Sequence, residues 1–151
     1  MASFEQDLII FEDDTLMLQY TFTDLEGTFT NSYEAWWGAV SSSYFHPDTG
    51  NPPATITPAL QKKSDGWTDG PGAGVPDDIT VVTGDTIVRV FFNQDDFVET
   101  TPNAPTLETN TEYYTELVLS TNGSETTSVV AATGKLYISA SLFSAAEYRP
   151  V

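Results

Sequence analysis

Few residues in this sequence could perform catalysis. His46 is the only histidine, so a Ser-His-Asp triad or a histidine-ligated metal site would have to be built around it. It lies in the segment FHPDTG beside a proline, where a turn is the simpler explanation. Cysteine is absent, which removes disulfides and cysteine-ligated zinc. The sequence therefore predicts no catalytic residue, no metal site and no bound cofactor.

Adjacent carboxylates occur at three places, which are Asp13-Asp14, Asp77-Asp78 and Asp95-Asp96. A glycosidase needs two carboxyl groups that face each other across a cleft and differ in pKa. Neighbours in sequence do not meet that requirement, and among 22 acidic residues such pairs are expected by chance. We interpret them as solvated turn residues. The alternative is a calcium site in which Asp77, Asp78 and Asp85 meet at one end of a hairpin, since calcium prefers oxygen ligands.

Two short motifs lack the neighbours that their chemistry needs. GPGAG, residues 70–74, is not followed by the Lys-Ser/Thr of a phosphate-binding loop. Asn122-Gly123-Ser124 satisfies the N-glycosylation sequon, but Asn-Gly is also a preferred pair in tight hairpin turns. We therefore assign no ligand to the first motif and a turn to the second.

Tryptophan gives the strongest alternative to a purely structural role. Exposed aromatic rings stack on sugar faces, and tryptophan anchors are enriched at protein contacts. Trp36 and Trp67 are the candidates for a carbohydrate-binding platform or a protein contact. Trp37 shares the strand parity of Tyr33 and Ala35, so we predict that it belongs to the core.

The charge of the protein restricts its partners. The formal net charge is −17, from 22 acidic and 5 basic side chains, and such a surface repels nucleic-acid backbones and anionic membranes. The simplest interpretation is that the charge keeps the protein soluble. The alternatives are that the protein docks on a basic surface, or that it functions at high salt concentration, where charge repulsion is screened. The opening MASFEQDLIIFEDD has no basic residue before its short apolar run, so no secretory signal is predicted. No apolar run reaches the ~18 residues of a membrane-spanning helix.

The elements that must position any site are strands. TLMLQYTFT, residues 15–23, alternates with Leu18, Tyr20 and Phe22 on one face, and residues 24–27 form a turn that ends at Gly27. Residues 31–40 form the next strand, on which Trp36 shares the face of Glu34.

Between residues 41 and 78 the alternation stops, because prolines and glycines are frequent. Only TITPAL, residues 55–60, could form a short strand there, at a sheet edge because of Pro58. Long loops in compact domains are often functional, so we expect part of the binding surface in this insertion.

The second half predicts further hairpins. Residues 77–92 form one about Thr83-Gly84-Asp85, and NQDDF, residues 93–97, forms a single helical turn. Residues 113–120 and 126–130 pair about Asn122-Gly123 in a type I′ turn, and Gly134 leads into a last strand over 135–143. Seven to nine short strands with regular turns predict one all-β domain, an antiparallel β-sandwich over residues 1–151.

Five segments also carry a family resemblance: DDTLMLQYTFTDLEG, YEAWWGAV, DTIVRVFF, NTEYYTELVLSTNG and VVAATGKLYI. Their order resembles the small immunoglobulin-like domains of tailed-phage virions, in particular the N-terminal domain of baseplate upper proteins and similar head or tail accessory proteins. The resemblance spans most of the chain except residues 41–78. It implies an immunoglobulin-like sandwich, a structural role in the virion and no catalytic residues.

Baseplate and fibre proteins usually extend beyond such a domain, whereas this sequence ends soon after its last predicted strand. We therefore expect a capsid decoration or cement protein that binds the major capsid protein and stabilises the outer head shell. The alternative is a tail, baseplate or fibre adaptor that binds tail proteins, and a homo-oligomer is compatible with either role.

Five apolar residues in loop or terminal contexts are the predicted interface, namely Phe4, Tyr44, Phe45, Trp67 and Tyr148. The alternative is that they cover the edges of the core.

Overall fold

The computed structural model describes residues 4–5, 8–11, 16–23, 27–30, 32–41, 58–68, 75, 77–97, 106–122 and 128–139. The strands in this part are β1 Phe4–Glu5, β2 Leu8–Phe11, β3 Leu16–Thr21, β4 Glu34–Ser41, β5 Leu60–Lys63, β6 Ile79–Val81, β7 Ile87–Phe92, β8 Thr111–Ser120 and β9 Ser128–Ser139. A short 3-10 helix, Gln94–Asp96, follows β7. None of the helical structure in these ranges has the length and hydropathy needed to cross a bilayer.

The strands form two sheets. The larger sheet has the order β1, β9, β8, β4, β5, and β2 also pairs with β9. The smaller sheet has the order β3, β7, β6. All pairs are antiparallel except that β1 and β2 run parallel to β9.

This strand order is that of an immunoglobulin-like β-sandwich, as predicted. In the variable type of that fold, strands B, E and D form one sheet and strands C′, C, F and G belong to the other; β3, β7, β6 and β5, β4, β8, β9 take these places here. Trp37 on β4 is the buried tryptophan of strand C. Tyr113, near the start of β8, accepts a hydrogen bond at 2.7 Å from the backbone N–H of Glu108, which is the tyrosine corner of the fold.

A hydrogen bond links the two sheets between the strands in the B and C positions, whereas the disulfide of antibody domains joins strands B and F. Nε1 of Trp37 on β4 donates to Oη of Tyr20 on β3 at 3.2 Å inside the core. The Trp37 ring also packs edge-on against Phe92 of β7, with ring centroids 5.2 Å apart. Burial raises the pKa of Tyr20 to about 12, so its hydroxyl keeps the proton. These contacts fix the distance between the sheets without cysteine.

Several local predictions are confirmed. Leu18, Tyr20 and Phe22 are buried. Gly27 and Gly84 have φ values of 97° and 82°, the left-handed conformation that glycine adopts at low cost. Gly84 lies between β6 and β7, which pair as the predicted hairpin. The predicted helical turn after β7 is the 3-10 helix, in which Asn93 Oδ1 accepts a hydrogen bond from the backbone N–H of Asp95 at 3.0 Å.

Two strand predictions are wrong in their bounds. The edge strand predicted at residues 55–60 is β5 at Leu60–Lys63, in which Leu60 and Lys62 supply the buried alternation. Pro58 and Ala59 are not part of the strand, and residues 55–57 lie outside the described residues. Residues 128–139 form one continuous strand instead of two, since Gly134 stays in the ladder opposite Thr115.

The β8–β9 turn differs as well. Ser120 pairs with Ser128, a register that leaves residues 121–127 between the paired ends and does not fit a two-residue turn at Asn122-Gly123. Gly123 itself lies outside the described residues.

Candidate functional site

The outer face of the larger sheet carries a row of apolar side chains. Trp36 on β4 pairs with Val118 on β8, and Val118 pairs with Val130 on β9. All three point away from the core, because Trp37 and Leu117, their neighbours along the strands, are completely buried. Val130 is 42% exposed, and Trp36 and Val118 are half-buried. We call these three side chains the apolar row.

A β-bulge brings Val130 into the row. Leu117 pairs with Ala132, but Val118 pairs with Val130, so Ala131 is an additional residue on β9. Such a residue reverses the alternation of a strand. Without it, Val118 would face the small Ala131, and Val130 would point to the other side of the sheet.

The indole of Trp36 lies against the sheet over Gly38. A Cβ atom on Gly38 would fall 2.2 Å from Cη2 of that ring, so only glycine permits this position. Nε1 of Trp36 donates to Oε1 of Gln61 on β5 at 3.1 Å. The sheet therefore holds the ring in one orientation before any partner binds.

Three further side chains extend the apolar face. Val40 on β4 pairs with Tyr114 on β8, and both are half-buried. Tyr137 on β9 is 37% exposed. Together with the apolar row, these residues spread across β4, β8 and β9. They alternate with polar side chains on the same face, namely Glu112, Glu116, Thr133 and Lys135, so the continuous apolar surface is the apolar row itself. Exposed apolar surface of this kind marks interaction sites on soluble proteins.

One carboxylate lies within this face. Glu116 is the outward residue of β8 between Tyr114 and Val118, and it pairs with Gly38 and Thr133 on the neighbouring strands. Its side chain still reaches solvent, yet partial desolvation by its neighbours raises the pKa of its carboxyl group. Among the described residues no lysine or arginine forms a salt bridge with it.

A buried ion cluster anchors the β5 edge of the face. Nζ of Lys62 is completely buried and lies 2.8 Å from Oδ2 of Asp78 and 2.9 Å from Oδ2 of Asp96. The same ammonium lies 5.4 Å from the ring centroid of Phe92, a cation–π contact. The next residue, Lys63, points outward and pairs with Asp77. Lys62 thus connects β5 to the start of β6 and to the 3-10 helix.

A smaller apolar patch lies on the other sheet. Met17 on β3 pairs with Phe91 on β7, and they are 43% and 41% exposed. Next to them, Nε of Arg89 donates to Oε1 of Gln19 at 3.2 Å. This patch consists of two side chains and lacks a preorganised tryptophan, so we place the candidate site on the larger sheet.

The predicted interface residues have different outcomes. Trp67 is only 5% exposed, which favours the alternative that it covers the edge of the core. It lies in a turn directly after β5, in which its backbone N–H donates to the carbonyl of Ser64. Phe4 lies in β1 and not in an unpaired terminus, and Tyr44, Phe45 and Tyr148 lie outside the described residues.

The carbohydrate platform is not supported in its predicted form. It required Trp36 and Trp67 to be exposed together, but Trp67 is buried and its Nε1 has no hydrogen-bond partner within the described ranges. Of the three tryptophans, only Trp36 offers a ring to a ligand, as the prediction of its outward orientation implied.

The paired aspartates are only partly the solvated turn residues that we predicted. Asp78 and Asp96 hold the buried Lys62, while Asp77 pairs with the exposed end of Lys63. The calcium alternative is wrong, because Asp85 lies in the β6–β7 turn and the other two precede the opposite end of β6. No group of three potential metal ligands occurs among the described residues. Asp13, Asp14, His46 and residues 70–74 lie outside the described ranges.

The sequence prediction missed Val118, Val130, Tyr137 and Glu116. One signal was present in YYTELV, residues 113–118, which has apolar residues at both parities of the strand. A strand that faces solvent on one side needs them at one parity only. The position of Val130 had no such signal, since it depends on the bulge.

No protein-family model matches the sequence, and no curated protein matches it. Among solved structures, the chain is similar to the extracellular domains of the voltage-gated sodium channel beta4 subunit, described as parallel homodimers that explain a role in cell-cell adhesion. The likeness covers 91% of this chain and 93% of the other, at 12% identity and a TM-score of 0.32. A score this low supports no argument, so the fold assignment rests on strand order and on Trp37 and Tyr113.

Proposed function

We propose that this chain is a non-enzymatic structural protein of a tailed-phage virion, which decorates the outer head shell by binding the major capsid protein through the outer face of the larger sheet. The observation that carries the proposal is the apolar row of Trp36, Val118 and Val130, with the Trp36 ring held over Gly38. The virion setting rests on the resemblance of the strand pattern to phage immunoglobulin-like domains.

The geometry of the face favours protein binding. Buried tryptophan anchors surrounded by smaller apolar side chains are typical of energetically important contacts between proteins. The ring of Trp36 is already ordered by Gln61, so binding loses little side-chain entropy. A shell offers many equivalent sites, and additional contacts between neighbouring copies raise the overall strength of attachment.

Peptide counting by mass spectrometry on purified particles tests the virion role. Copy numbers approaching those of the major capsid protein are expected. A handful of copies per particle would instead support the tail or baseplate adaptor, and particles without the protein would refute a structural role in the virion.

The binding face is tested with two neighbouring valines. Val130 lies in the apolar row, whereas Val129 is 50% exposed and pairs with the buried Leu119 on the other side of the sheet. Added back to particles that lack the protein, Val130→Gln should bind at least about fivefold more weakly than wild type, as expected for an interface centre. Val129→Gln should bind as wild type does. If Val130→Gln and Val129→Gln bind equally well, the binding site does not include the apolar row. Phe91→Ser then tests whether the smaller patch is the site.

A further inference from the structure

The carboxylate of Glu116 has an unusual position in the proposed binding face. Tyr114 and Val118 flank it along β8, and across the sheet it faces Gly38, which the Trp36 ring covers. A partner that covers the apolar row must therefore cover Glu116 as well. The charge cannot avoid the interface.

Three of the four described cations have other partners, since Lys62 and Lys63 pair with aspartates and Arg89 bonds to Gln19. The fourth, Lys135, lies on the outer face of β9 opposite Tyr114 rather than opposite Glu116, and it shares that face with a second carboxylate, Glu112. Desolvation already raises the pKa of the Glu116 carboxyl group in the free protein. An apolar partner would remove the remaining water, and an unpaired carboxylate without water is costly. Lys135 alone cannot neutralise both Glu112 and Glu116, so covering the face is favourable only if the partner brings a further positive charge.

The charge of the whole protein limits the partner further. At a formal net charge of −17, a second copy would add repulsion and place a second Glu116 in the same interface. An acidic partner would do the same. A cationic side chain satisfies both the local carboxylate and the overall charge.

We propose that the partner presents an arginine or lysine side chain, flanked by apolar side chains, that pairs with Glu116 while its neighbours cover the apolar row. This inference rests on the proposed function only in assuming that the face binds a protein. Arginine fits best, because its planar guanidinium donates two parallel hydrogen bonds to a carboxylate and carries a weaker hydration shell than an ammonium.

Two capped tripeptides provide a defined probe, acetyl-Leu-Arg-Phe-amide and its neutral analogue with citrulline in place of arginine. Titrations of the purified chain, followed by NMR shifts of the Val118 and Val130 amides, should show roughly tenfold tighter binding of the arginine peptide, or about 1.4 kcal/mol. Glu116→Gln should remove this preference. Glu112→Gln is the matched control, since Glu112 is exposed on the same face of β8 next to Tyr137, and it should keep the preference.

The outcomes separate this inference from the proposed function. Equal binding of both peptides to the wild type, or a preference that survives Glu116→Gln, overturns the inference, even if the particles contain the protein. If the chain clearly prefers the arginine peptide but purified particles do not contain the protein, only the virion role is overturned. A dimer in sedimentation experiments that Val130→Gln dissociates would also overturn the inference, because a second copy would then occupy the face.

Discussion

Replacing Lys62 by methionine should destabilise the protein strongly. Methionine keeps most of the aliphatic volume beside Phe92 but removes the ammonium that lies 2.8 Å from Asp78 and 2.9 Å from Asp96. Their side chains are 30% and 8% exposed, so the second carboxylate in particular stays buried without a cation. Breaking a buried ion pair by removing one partner costs about 3–5 kcal/mol.

The lower end of that range applies here. Asp78 can take up water, and Asp96 keeps a hydrogen bond from the backbone N–H of Asn93 at 2.9 Å. We therefore expect the free energy of unfolding to fall by about 3 kcal/mol, a large part of the roughly 5–15 kcal/mol of a typical domain. The corresponding fall in Tm is roughly 6–12 °C for a chain of this size.

The neighbouring lysine is a matched control. Lys63 pairs with Asp77 at the surface, where their side chains are 13% and 50% exposed, so Lys63→Met should cost less than about 1 kcal/mol. Urea denaturation followed by circular dichroism measures both variants. Adding Asp96→Asn to Lys62→Met should recover part of the loss, because the most buried charge is then gone. If Lys62→Met costs no more than Lys63→Met, the ion cluster does not stabilise β5 as argued.

Three other changes have defined outcomes. Tyr20→Phe should cost about 1–3 kcal/mol in denaturant titrations, since Nε1 of Trp37 loses its partner. Because the folded pKa of Tyr20 is about 12 against an ordinary 10.0, the contribution of Tyr20 to stability is full below pH 10 and is lost as pH rises through the folded value. If the stability of Tyr20→Phe falls over this alkaline range as much as that of the wild type, this reasoning is contradicted. Gly38→Ala should expel the Trp36 ring and speed hydrogen exchange of its indole N–H roughly tenfold, whereas unchanged exchange would mean that the ring does not lie over the glycine. Tyr113→Phe should cost about 1 kcal/mol through the lost tyrosine-corner hydrogen bond, and no measurable cost would show that this bond adds nothing.

The regular strands could be predicted from the sequence because their evidence is local. Alternation of Leu18, Tyr20 and Phe22 identifies β3 and its buried face, and a glycine at Gly84 identifies the hairpin between β6 and β7. The outward orientation of Trp36 follows from the same parity. These features depend on neighbours within a few residues, which a sequence displays directly.

The prediction failed where a residue's role depends on distant partners. Lys62 looks like an ordinary surface lysine until β6 and the 3-10 helix bring two aspartates to it. Trp67 looks exposed in a loop rich in proline and glycine, but in the folded protein it is buried in the turn after β5. Such burial is a property of the assembled sandwich.

The sequence by itself determined an acidic, cysteine-free chain whose period-two patterns require two sheets with one apolar face each, because side chains alternate across a strand. Tertiary structure alone decided what lies on the outer face. The bulge at Ala131 turned Val130 outward, and strand order set it beside Val118 and Trp36. Glu116 acquired its significance in the same way, since desolvation comes from neighbouring strands that are distant in the chain.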